Sequence, residues 1–518
     1  MKIQHCRYGG KQTMLLTERY ADKIKGVLSC YDRIVIHGNI PELCFAGGMT
    51  SFLYSKSIKI FDYPAWANGL RDEIRNHAEQ IAKDNELEIE FIRKIGEFRK
   101  DDRIQEIIKH RGDHPGLVHI FSAMESCNAY KPWHDKPTGK TFVKNDSGKC
   151  LHYYFYFIDP DFGLCYLRVP TWSPFRLQFY MNGHNWLASR LGKQGIAYEM
   201  ADNAFVHIDD WDKAQQLSDH IRIEDLHQVL DILANRYCPA AKKLGLMYRW
   251  SIMQVEYATD IAFNRPDDLK HIYDTIVHTA IHSVKPDNIA TFLGTKLHWK
   301  YEGEMGNRFN KRILGTRIKH HMGAVSIKMY DKFGSVLRIE TTANDVSQFK
   351  ISRDVQQRDG TTTQKVAPMK KNIYSLFPLA KLLQSANRRY LEMVSSWDDP
   401  SDGAKKLDEI SESKTDNDRR FKGFNFFSRE DQQLFRILSR GEFNINGFQN
   451  KSVRNLLPER SSASISRILK RLRVHGLVKK VSGTHKYYLT KLGKSVITIG
   501  LKTKDLLIIP GLSEATAN

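Results

Sequence analysis

A short segment between residues 325 and 342 brings together side chains that could act on a phosphate. Tyr330 supplies a phenol, and Glu340 supplies a carboxylate. Lys328 and Arg338 place positive charge beside them. A tyrosine, a lysine, an arginine and a glutamate in one short segment are residue types from which a catalytic site could be built. The segment is therefore the strongest catalytic candidate in the chain.

The same segment has the pattern of a β-hairpin with one apolar face. A three-residue bulged loop at residues 332–334, with Gly334 in the left-handed conformation, is the common way to join two such strands. This loop predicts that Met329 pairs with Leu337, which keeps one face of the hairpin apolar. The opposite face then carries the polar side chains Ser326, Lys328, Tyr330, Arg338, Glu340 and Thr342.

Tyr330, Asp331 and Lys332, followed by Arg338 and Glu340, resemble the Tyr-Asp-Lys and Arg-x-Glu pattern of phage and plasmid rolling-circle replication initiators. The resemblance is confined to this hairpin. It implies that Tyr330 attacks a DNA phosphate and stays covalently attached, while Mg²⁺ or Mn²⁺ polarises a phosphoryl oxygen, and it implies a metal or base role for Glu340. The His-x-His motif with which those initiators usually bind metal does not occur in this sequence. The sequence therefore does not identify the residues that would bind the metal.

Two other interpretations of the hairpin are open. Its polar face could be the hydrated surface of a structural strand pair, or it could bind phosphate through Lys328 and Arg338 without catalysis. Acidic residues outside the hairpin could also meet in space as a two-metal nuclease site. These candidates are Asp32, Glu125, Asp159, Asp161, Asp202, Asp209 and Asp210.

Positive charge is concentrated near the C-terminus. The chain has 79 Lys and Arg against 59 Asp and Glu, a net charge of +20. Between Arg419 and Lys504 there are 20 basic and four acidic residues, so this segment carries +16 of that total. A compact basic module indicates a polyanionic partner such as nucleic acid.

The basic segment also has the pattern of a small helical domain. Ser428 is a candidate N-cap for the first helix, and the third helix has apolar residues at helical spacing from Ile465 to Leu472. Three helices are expected near residues 428–441, 450–457 and 462–476, then two strands near 477–481 and 486–490, and a closing helix from 492.

This order of elements resembles the winged helix-turn-helix of MarR-like regulators, in the run from Ser464 to Lys480 and in the run from Tyr487 to Gly493. The resemblance covers less than a fifth of the chain. It implies that the third helix enters the DNA major groove while the hairpin, or wing, contacts phosphates or the minor groove. A winged helix that docks protein or RNA is the alternative. The residues implied to bind nucleic acid are Arg467, Lys470, Arg471 and Arg473 on the helix, and Lys479, Lys480, His485 and Lys486 on the wing.

The rest of the chain mixes helical and strand patterns. We predict an α+β multidomain body with a C-terminal winged helix-turn-helix domain. Aromatic and basic residues interleave between residues 130 and 186, where they could stack unpaired bases or fill the core of a sheet. The predicted regions are an N-terminal strand plus a charged helical region (1–115), an aromatic-rich α+β region (116–225), a second α+β region with the hairpin (226–400), a charged linker (401–424) and the winged helix-turn-helix (425–510).

Composition excludes several classes of protein. A hydrophobic content of 41% is too high for a mainly disordered chain, and no apolar run is long enough to predict a membrane-spanning helix. The seven cysteines are never spaced C-x-x-C, which argues against a zinc ribbon and favours a reducing compartment. No P-loop motif is present, so ATP-driven work is not expected.

These patterns together predict a cytoplasmic nucleic-acid-binding protein, associated with a mobile element or with replication. The favoured function is sequence-specific binding of duplex DNA through the C-terminal domain. One alternative is a metal-dependent DNA nickase or strand transferase that uses Tyr330, and another is a structured-RNA-binding protein. Duplex DNA is favoured over RNA as the partner, no membrane is expected, and a homodimer is left open.

Overall fold

The computed structural model describes residues 14–284, 286–294, 305–312, 315–398, 401–509 and 512. These residues form two compact units. The sheet unit comprises the chain as far as Val277 and from Val284 to Ser395, and the C-terminal unit comprises His278–Ser283 and the chain from Ser396 onward. Helices and strands are both abundant, which confirms the mixed α+β character expected from the sequence.

Eleven strands of the described chain form one large sheet. In spatial order they are β10 (Met305–Arg312), β11 (Gly315–Met322), β12 (Val325–Lys332), β13 (Val336–Ala343), β9 (Arg249–Phe263), β1 (Ile24–Asn39), β6 (Leu177–Met181), β5 (Gly163–Pro170), β4 (Lys140–Asp159), β3 (Gly116–Asp135) and β2 (Ile89–Ile92). Neighbouring strands are antiparallel except for β2 and β3. All three regions predicted within residues 1–400 contribute strands, and β1 lies between β6 and β9 at the centre.

Two hairpins and a set of helices complete the sheet unit. The hairpins are β7 (Tyr198–Ala201) with β8 (Ala204–Ile208), and β14 (Lys350–Gln356) with β15 (Thr362–Pro368). The helices that begin in this unit are α1 (Leu16–Arg19), α2 (Ala46–Ser55), α3 (Tyr63–Asp84), α4 (Lys100–Arg111), α5 (Gly183–Lys193), α6 (Trp211–Ser218), α7 (Ile223–Tyr237), α8 (Ala240–Lys243), α9 (Pro266–Ser283), α10 (Pro286–Phe292) and α11 (Leu376–Asp398). Within the described chain, none of the helices has both the length and the apolar character needed to cross a membrane.

Helix α11 covers one face of the sheet where β1, β9 and β13 run side by side. The Tyr31 hydroxyl donates a hydrogen bond to the Leu376 carbonyl at 2.6 Å. The Asn387 amide donates to the Tyr257 carbonyl at 3.0 Å and accepts from the Thr341 hydroxyl at 2.6 Å. Because these polar groups and the apolar side chains around them face α11, alternate residues of the same strands project from the opposite face. That opposite face carries the charged residues described below.

The C-terminal unit has the elements expected from its sequence pattern. Its elements are α12 (Ser401–Ser411), β16 (Lys414–Asp416), β17 (Arg419–Phe421), α13 (Arg429–Leu438), α14 (Gly441–Asn446), α15 (Asn450–Asn455), α16 (Ser462–Val474), β18 (Val478–Lys480), β19 (Tyr487–Leu489) and α17 (Lys491–Thr503), with a π-helical turn at Lys504–Ile508. The three predicted helices, the two strands and the closing helix are all confirmed. The range 401–424, expected as a charged linker, instead contains a helix and a hairpin, because Ile410 and Phe424 are buried in the core of this unit.

Two buried histidines predict a loss of stability in acid. Burial lowers the pKa of His152 to about 4, with nearby Arg168 contributing, and burial lowers the pKa of His320 to about 4. The unfolded chain binds protons at these residues below about pH 6.5, whereas the folded chain does not. The free energy of unfolding should therefore fall between about pH 6.5 and pH 4, by about 2 kcal/mol per histidine.

Urea denaturation of the wild type and of His320→Asn across this pH range measures the effect. The substitution should remove about 2 kcal/mol of the pH-dependent loss, and this difference separates the histidine from the carboxylates that also titrate in acid. His134→Asn, at an exposed histidine, is the matched control and should leave the pH dependence unchanged. Equal pH dependence in all three proteins would contradict the assignment of His320 as a buried neutral group.

Candidate active site and basic C-terminal surface

The hairpin predicted around Tyr330 is present as β12 and β13, but its predicted register is wrong by two residues. Met329 pairs with Ile339, and Lys332 pairs with Val336, which leaves residues 333–335 as the loop. Both Phe333 and Gly334 adopt left-handed conformations, with φ of 60° and 74°, so the turn forms one residue later than expected. A shift of two residues keeps every side chain on its predicted face.

Three carboxylates from three strands meet on that face of the sheet. Asp32 from β1, Glu256 from β9 and Glu340 from β13 each place one oxygen within 4.8 Å of the others. We call these residues the carboxylate triad. Asp32 and Glu340 are buried, and Glu256 is half-buried. Carboxylate oxygens at this spacing are suitable donors for a hard divalent cation.

Tyr330 and Lys328 both contact the triad. The Tyr330 hydroxyl donates a hydrogen bond to Glu340 Oε2 at 2.8 Å. The Lys328 ammonium donates to Glu340 Oε1 at 2.6 Å and to Glu256 Oε1 at 3.0 Å. Tyrosine, base and cation therefore share a single contact network, which makes the hairpin face more than a hydrated strand surface.

Burial changes the proton affinities of the tyrosine and its acceptor. Burial, reinforced by the Glu340 carboxylate, raises the pKa of the Tyr330 phenol well above its usual value. Burial also raises the pKa of Glu340; the Lys328 ammonium opposes this shift, and the neighbouring carboxylates of Glu256 and Asp32 reinforce it. The Tyr330 hydroxyl is therefore protonated near pH 7, and Glu340 is its hydrogen-bond acceptor.

Arg338 lies in a second, fully buried network beside the triad. Its Nε and Nη2 atoms donate to the two oxygens of Asp260, each at 2.6 Å, and Nη1 lies 3.2 Å from Asp32 Oδ1. His184 bridges the same two acids, with Nδ1 3.1 Å from Asp32 and Nε2 3.2 Å from Asp260. Burial alone would raise the pKa of Asp32 and of Asp260, but Arg338 and His184 lower both. The network therefore holds Asp32 as a carboxylate at a fixed position.

Two local features of the backbone bring Asp32 and His184 together. Asp32 is the extra residue of a β-bulge, because Tyr31 pairs with Tyr257 and Arg33 pairs with Glu256. A bulge redirects the side chain of its extra residue, which allows Asp32 to face the triad. Helix α5 begins at Gly183, where an added Cβ would lie 2.1 Å from the Tyr31 carbonyl oxygen, so only glycine permits the close approach that places His184 beside Asp32.

Comparison with known proteins assigns no family. The chain matches no family model, no curated protein and no solved structure.

The predicted catalytic residues Tyr330 and Glu340 lie together. Lys328 contacts Glu340, whereas Arg338 lies in the neighbouring network with Asp32 and Asp260. Because Lys328 and Arg338 are engaged by carboxylates, their charge is already paired inside the site. Of the seven scattered acids, Asp32 alone belongs to the triad; the others lie elsewhere, at Glu125, Asp159, Asp161, Asp202, Asp209 and Asp210. Glu256, Asp260 and His184 were missed by the sequence reasoning. A usable signal was present in β9, where Glu256 and Asp260 are four residues apart and therefore share one face of the strand.

The eight predicted nucleic-acid-binding residues of the C-terminal unit divide into two groups. Six are exposed: Arg467 and Arg473 on α16, and Lys479, Lys480, His485 and Lys486 on or beside the β18–β19 hairpin. Lys470 and Arg471 are half-buried and pair with acids of the same unit, Lys470 with Asp416 and Arg471 with Asp431. These two side chains are held within the unit rather than presented to a partner.

Arg471 is expected to stabilise the C-terminal unit. Its guanidinium contacts both oxygens of Asp431 at 2.9 and 3.1 Å, donates to the carbonyls of Lys422 and Gly423, and lies 3.8 Å from the ring centroid of Phe424. Arg471→Ala should lower the free energy of unfolding of this unit by roughly 1–3 kcal/mol, because it leaves the buried Asp431 unpaired.

Thermal unfolding followed by circular dichroism measures this loss. Arg473→Ala is the matched control, since Arg473 is an exposed arginine on the same helix and its removal should change stability by less than about 0.5 kcal/mol. Equal stability of the two variants would contradict a structural role for Arg471.

Most aromatic residues between 130 and 186 fill the core of the sheet unit. Tyr130, Tyr153, Tyr154, Tyr156, Phe175 and Trp186 are all buried. Trp133 is exposed, with the Lys144 ammonium 3.5 Å from its ring centroid. The buried rings are therefore not presented for stacking with unpaired bases.

Proposed function

We propose that this protein is a metal-dependent DNA nickase or strand transferase that uses Tyr330 as its nucleophile and binds duplex DNA through its C-terminal unit. The observation that carries the proposal is the 2.8 Å hydrogen bond from the Tyr330 hydroxyl to Glu340, a member of the carboxylate triad. A tyrosine with a general base and a cation-binding site beside it has the groups needed for attack on a phosphodiester.

The chemistry of the triad fits a divalent metal ion. Its three donors are carboxylates, and hard oxygen donors favour Mg²⁺ or Mn²⁺ over softer metals. The Lys328 ammonium already donates to Glu340 and Glu256, so these two carboxylates are arranged around a positive charge. When bound there, such an ion would polarise a phosphoryl oxygen of the substrate.

The proposed step conserves atoms and charge. The Tyr330 oxygen attacks the phosphorus, a tyrosyl phosphodiester bond forms, and the bond from phosphorus to one sugar oxygen breaks. The phenolic proton passes to Glu340, and the departing sugar oxygen takes a proton from solvent to become a hydroxyl group; Glu340 then returns its proton to solvent. The reverse attack by a sugar hydroxyl would rejoin the strand and release Tyr330, so no nucleotide cofactor is needed.

The order and charge of its elements support a winged-helix assignment for the C-terminal unit. Helices α13, α15 and α16 precede the β18–β19 hairpin, and Phe448 forms an isolated antiparallel β-bridge with Tyr487 of the hairpin. Helix α16 would lie in the major groove with Arg467 and Arg473 exposed, while the hairpin would contact phosphates. Sequence-specific duplex binding would deliver the nicking site to its target, and a cytoplasmic role in replication or in transfer of a mobile element would use both activities.

Formation of a covalent protein–DNA adduct tests the proposal. The full chain is incubated with labelled single-stranded and duplex DNA in the presence of Mg²⁺, Mn²⁺ or a chelator, then separated on a denaturing gel. We expect a labelled protein band that depends on the metal, and we expect mass spectrometry to locate the nucleotide on the peptide containing Tyr330.

A parallel reaction with structured RNA separates the alternatives. Binding of RNA without an adduct on any DNA substrate would overturn the nickase proposal and favour an RNA-binding protein. Binding of duplex DNA without an adduct would leave a DNA-binding protein that has no strand-transfer activity.

A further inference from the structure

A small cavity lies on the sheet unit beside β1, β5 and β6, away from the carboxylate triad. Its volume is about 220 Å³. This is smaller than the roughly 300–1,000 Å³ of pockets that bury a drug-sized ligand, so it suits a single phosphate group with the adjoining part of a nucleotide. We call it the basic pocket. Its lining residues include His37, Cys127, His152, Arg168, Arg176 and Gln178.

The pairing of three strands places part of this lining in one row. His37 of β1 pairs with Gln178 of β6, and Gln178 pairs with Arg168 of β5. Directly opposed residues point to the same side of a sheet, so the imidazole, the amide and the guanidinium converge from neighbouring strands. The pocket is therefore built from regular sheet positions rather than from a loop.

The charge of the pocket favours an anion. Two arginines line it, and no carboxylate is among the lining residues. Arg168 pairs with Glu125 at 2.7 Å, but its buried Nε has no hydrogen-bond partner among the described residues. Arg176 donates from Nε to the neutral side chain of Asn39 at 2.8 Å, so that contact leaves its charge uncompensated.

The two histidines of the pocket have lowered pKa values, chiefly because they are buried. Burial lowers the pKa of His37 to about 4, with Arg176 contributing, and burial lowers the pKa of His152 to about 4, with Arg168 contributing. Both imidazoles are therefore neutral near pH 7. The Nδ1–H of His152 donates to the Cys150 carbonyl at 3.1 Å, which leaves Nε2 as an acceptor, so of the two histidines only His37 could donate a hydrogen bond to an anion.

The basic pocket opens on the same face of the sheet as the triad. Arg33, which pairs with Glu256, lies four residues before His37 on β1, and an even separation puts both side chains on one face. Four residues of a strand span about 13 Å. A nucleic acid strand a few nucleotides long could therefore reach both the basic pocket and Tyr330.

We infer that the basic pocket binds a phosphate group, either of a nucleic acid strand or of a free nucleotide. That the phosphate belongs to the strand attacked by Tyr330 rests on the proposed function; the phosphate site itself does not. In the strand-bound case the pocket fixes the position of the substrate relative to the nucleophile.

Protection of Cys127 from alkylation reports on this pocket alone. Cys127 lines it and is half-buried, so iodoacetamide labelling followed by peptide mass spectrometry monitors occupancy without interference from the basic C-terminal unit. The probes are inorganic phosphate, thymidine monophosphate and a single-stranded DNA oligonucleotide, each added to the full chain. We expect at least one probe to slow labelling of Cys127 about tenfold.

Arg176→Gln is the informative variant. Arg176 is exposed and hydrogen-bonded to the neutral side chain of Asn39, so its replacement removes no ion pair with an acid there. Replacement of Arg168 would instead remove the cation that pairs with Glu125. The variant should require about tenfold more probe for the same protection. Arg222→Gln, at an exposed arginine outside the pocket, is the control and should behave as the wild type.

Each outcome decides a separate point. Protection by the oligonucleotide but not by the small probes supports a strand phosphate, and protection by phosphate or by the monophosphate supports a free nucleotide. Absence of protection by all three probes, or equal protection of Arg176→Gln and the wild type, overturns the pocket. Protection of Cys127 without a Tyr330 adduct would support the phosphate site and contradict the nickase proposal. A Tyr330 adduct without protection of Cys127 would support the nickase proposal and contradict the phosphate site.

Discussion

Tyr330→Phe should abolish the covalent protein–DNA adduct while leaving DNA binding unchanged. The substitution removes the attacking oxygen and keeps the ring, so the hairpin β12–β13 retains its packing. Loss of the nucleophile should reduce adduct formation by on the order of 10⁴-fold or more. The variant also lacks the hydrogen bond from the phenol to Glu340, which should cost about 1 kcal/mol of stability. Quantifying the labelled band on a denaturing gel measures the reduction, and a filter-binding titration with the same DNA checks affinity.

Tyr130→Phe is the matched control for this experiment. Tyr130 is also a tyrosine of the large sheet whose hydroxyl makes a hydrogen bond, to the Leu43 carbonyl at 2.6 Å, but it belongs neither to the triad nor to the lining of the basic pocket. This variant should form the adduct at the wild-type rate. An adduct that persists in Tyr330→Phe would show that another group is the nucleophile, and a parallel loss in both variants would point to a structural effect.

Side-chain alternation made the face of the Tyr330 hairpin predictable. Apolar residues at every second position require one buried face, so Tyr330, Lys328, Arg338 and Glu340 had to share the other. The register depended instead on the backbone of Phe333, a residue that rarely adopts a positive φ. Local pattern therefore identified the chemistry of the hairpin and missed the position of its turn.

The rest of the candidate site depends on contacts between distant parts of the chain. Asp32 reaches the triad through a β-bulge, and Glu256 reaches it because β9 lies between β1 and β13. His184 reaches Asp32 because Gly183 lets α5 approach β1 closely. None of these three relations leaves a periodic pattern in the sequence, since each joins residues more than 70 positions apart along the chain or depends on one local irregularity.

In the C-terminal unit too, local sequence patterns predicted the helices and strands but not the side-chain contacts between distant residues. Its helices and strands follow from capping residues and apolar spacing, which are local. The engagement of Arg471 and Lys470 depends on Asp431 and Asp416, which lie 40 and 54 residues away in the sequence. Helical spacing placed all four basic residues of α16 in the predicted nucleic-acid-binding set. Because Lys470 and Arg471 form ion pairs within the unit, Arg467 and Arg473 are the exposed basic residues of this helix.

Replacing the three exposed lysines of the β18–β19 hairpin should weaken duplex binding strongly. The triple variant Lys479→Gln, Lys480→Gln and Lys486→Gln removes three positive charges from side chains that are not part of the core. If each contacts a phosphate, the slope of log K against log salt concentration should become shallower by about 2.7. Affinity at a fixed moderate salt concentration should fall on the order of 100-fold. Fluorescence anisotropy with a labelled duplex, repeated across a salt series, measures both quantities.

A second triple variant separates a specific wing contact from general electrostatic attraction. Lys405→Gln, Lys406→Gln and Lys502→Gln removes the same charge from exposed lysines of α12 and α17 in the same unit. Long-range attraction depends on net charge and should fall equally in both variants, whereas phosphate contacts belong to the hairpin and should disappear only in the first. The control should therefore keep most of the wild-type salt slope. Equal slopes in the two variants would mean that the hairpin does not touch the duplex, and the winged-helix mode of binding would then be contradicted even if the protein binds DNA.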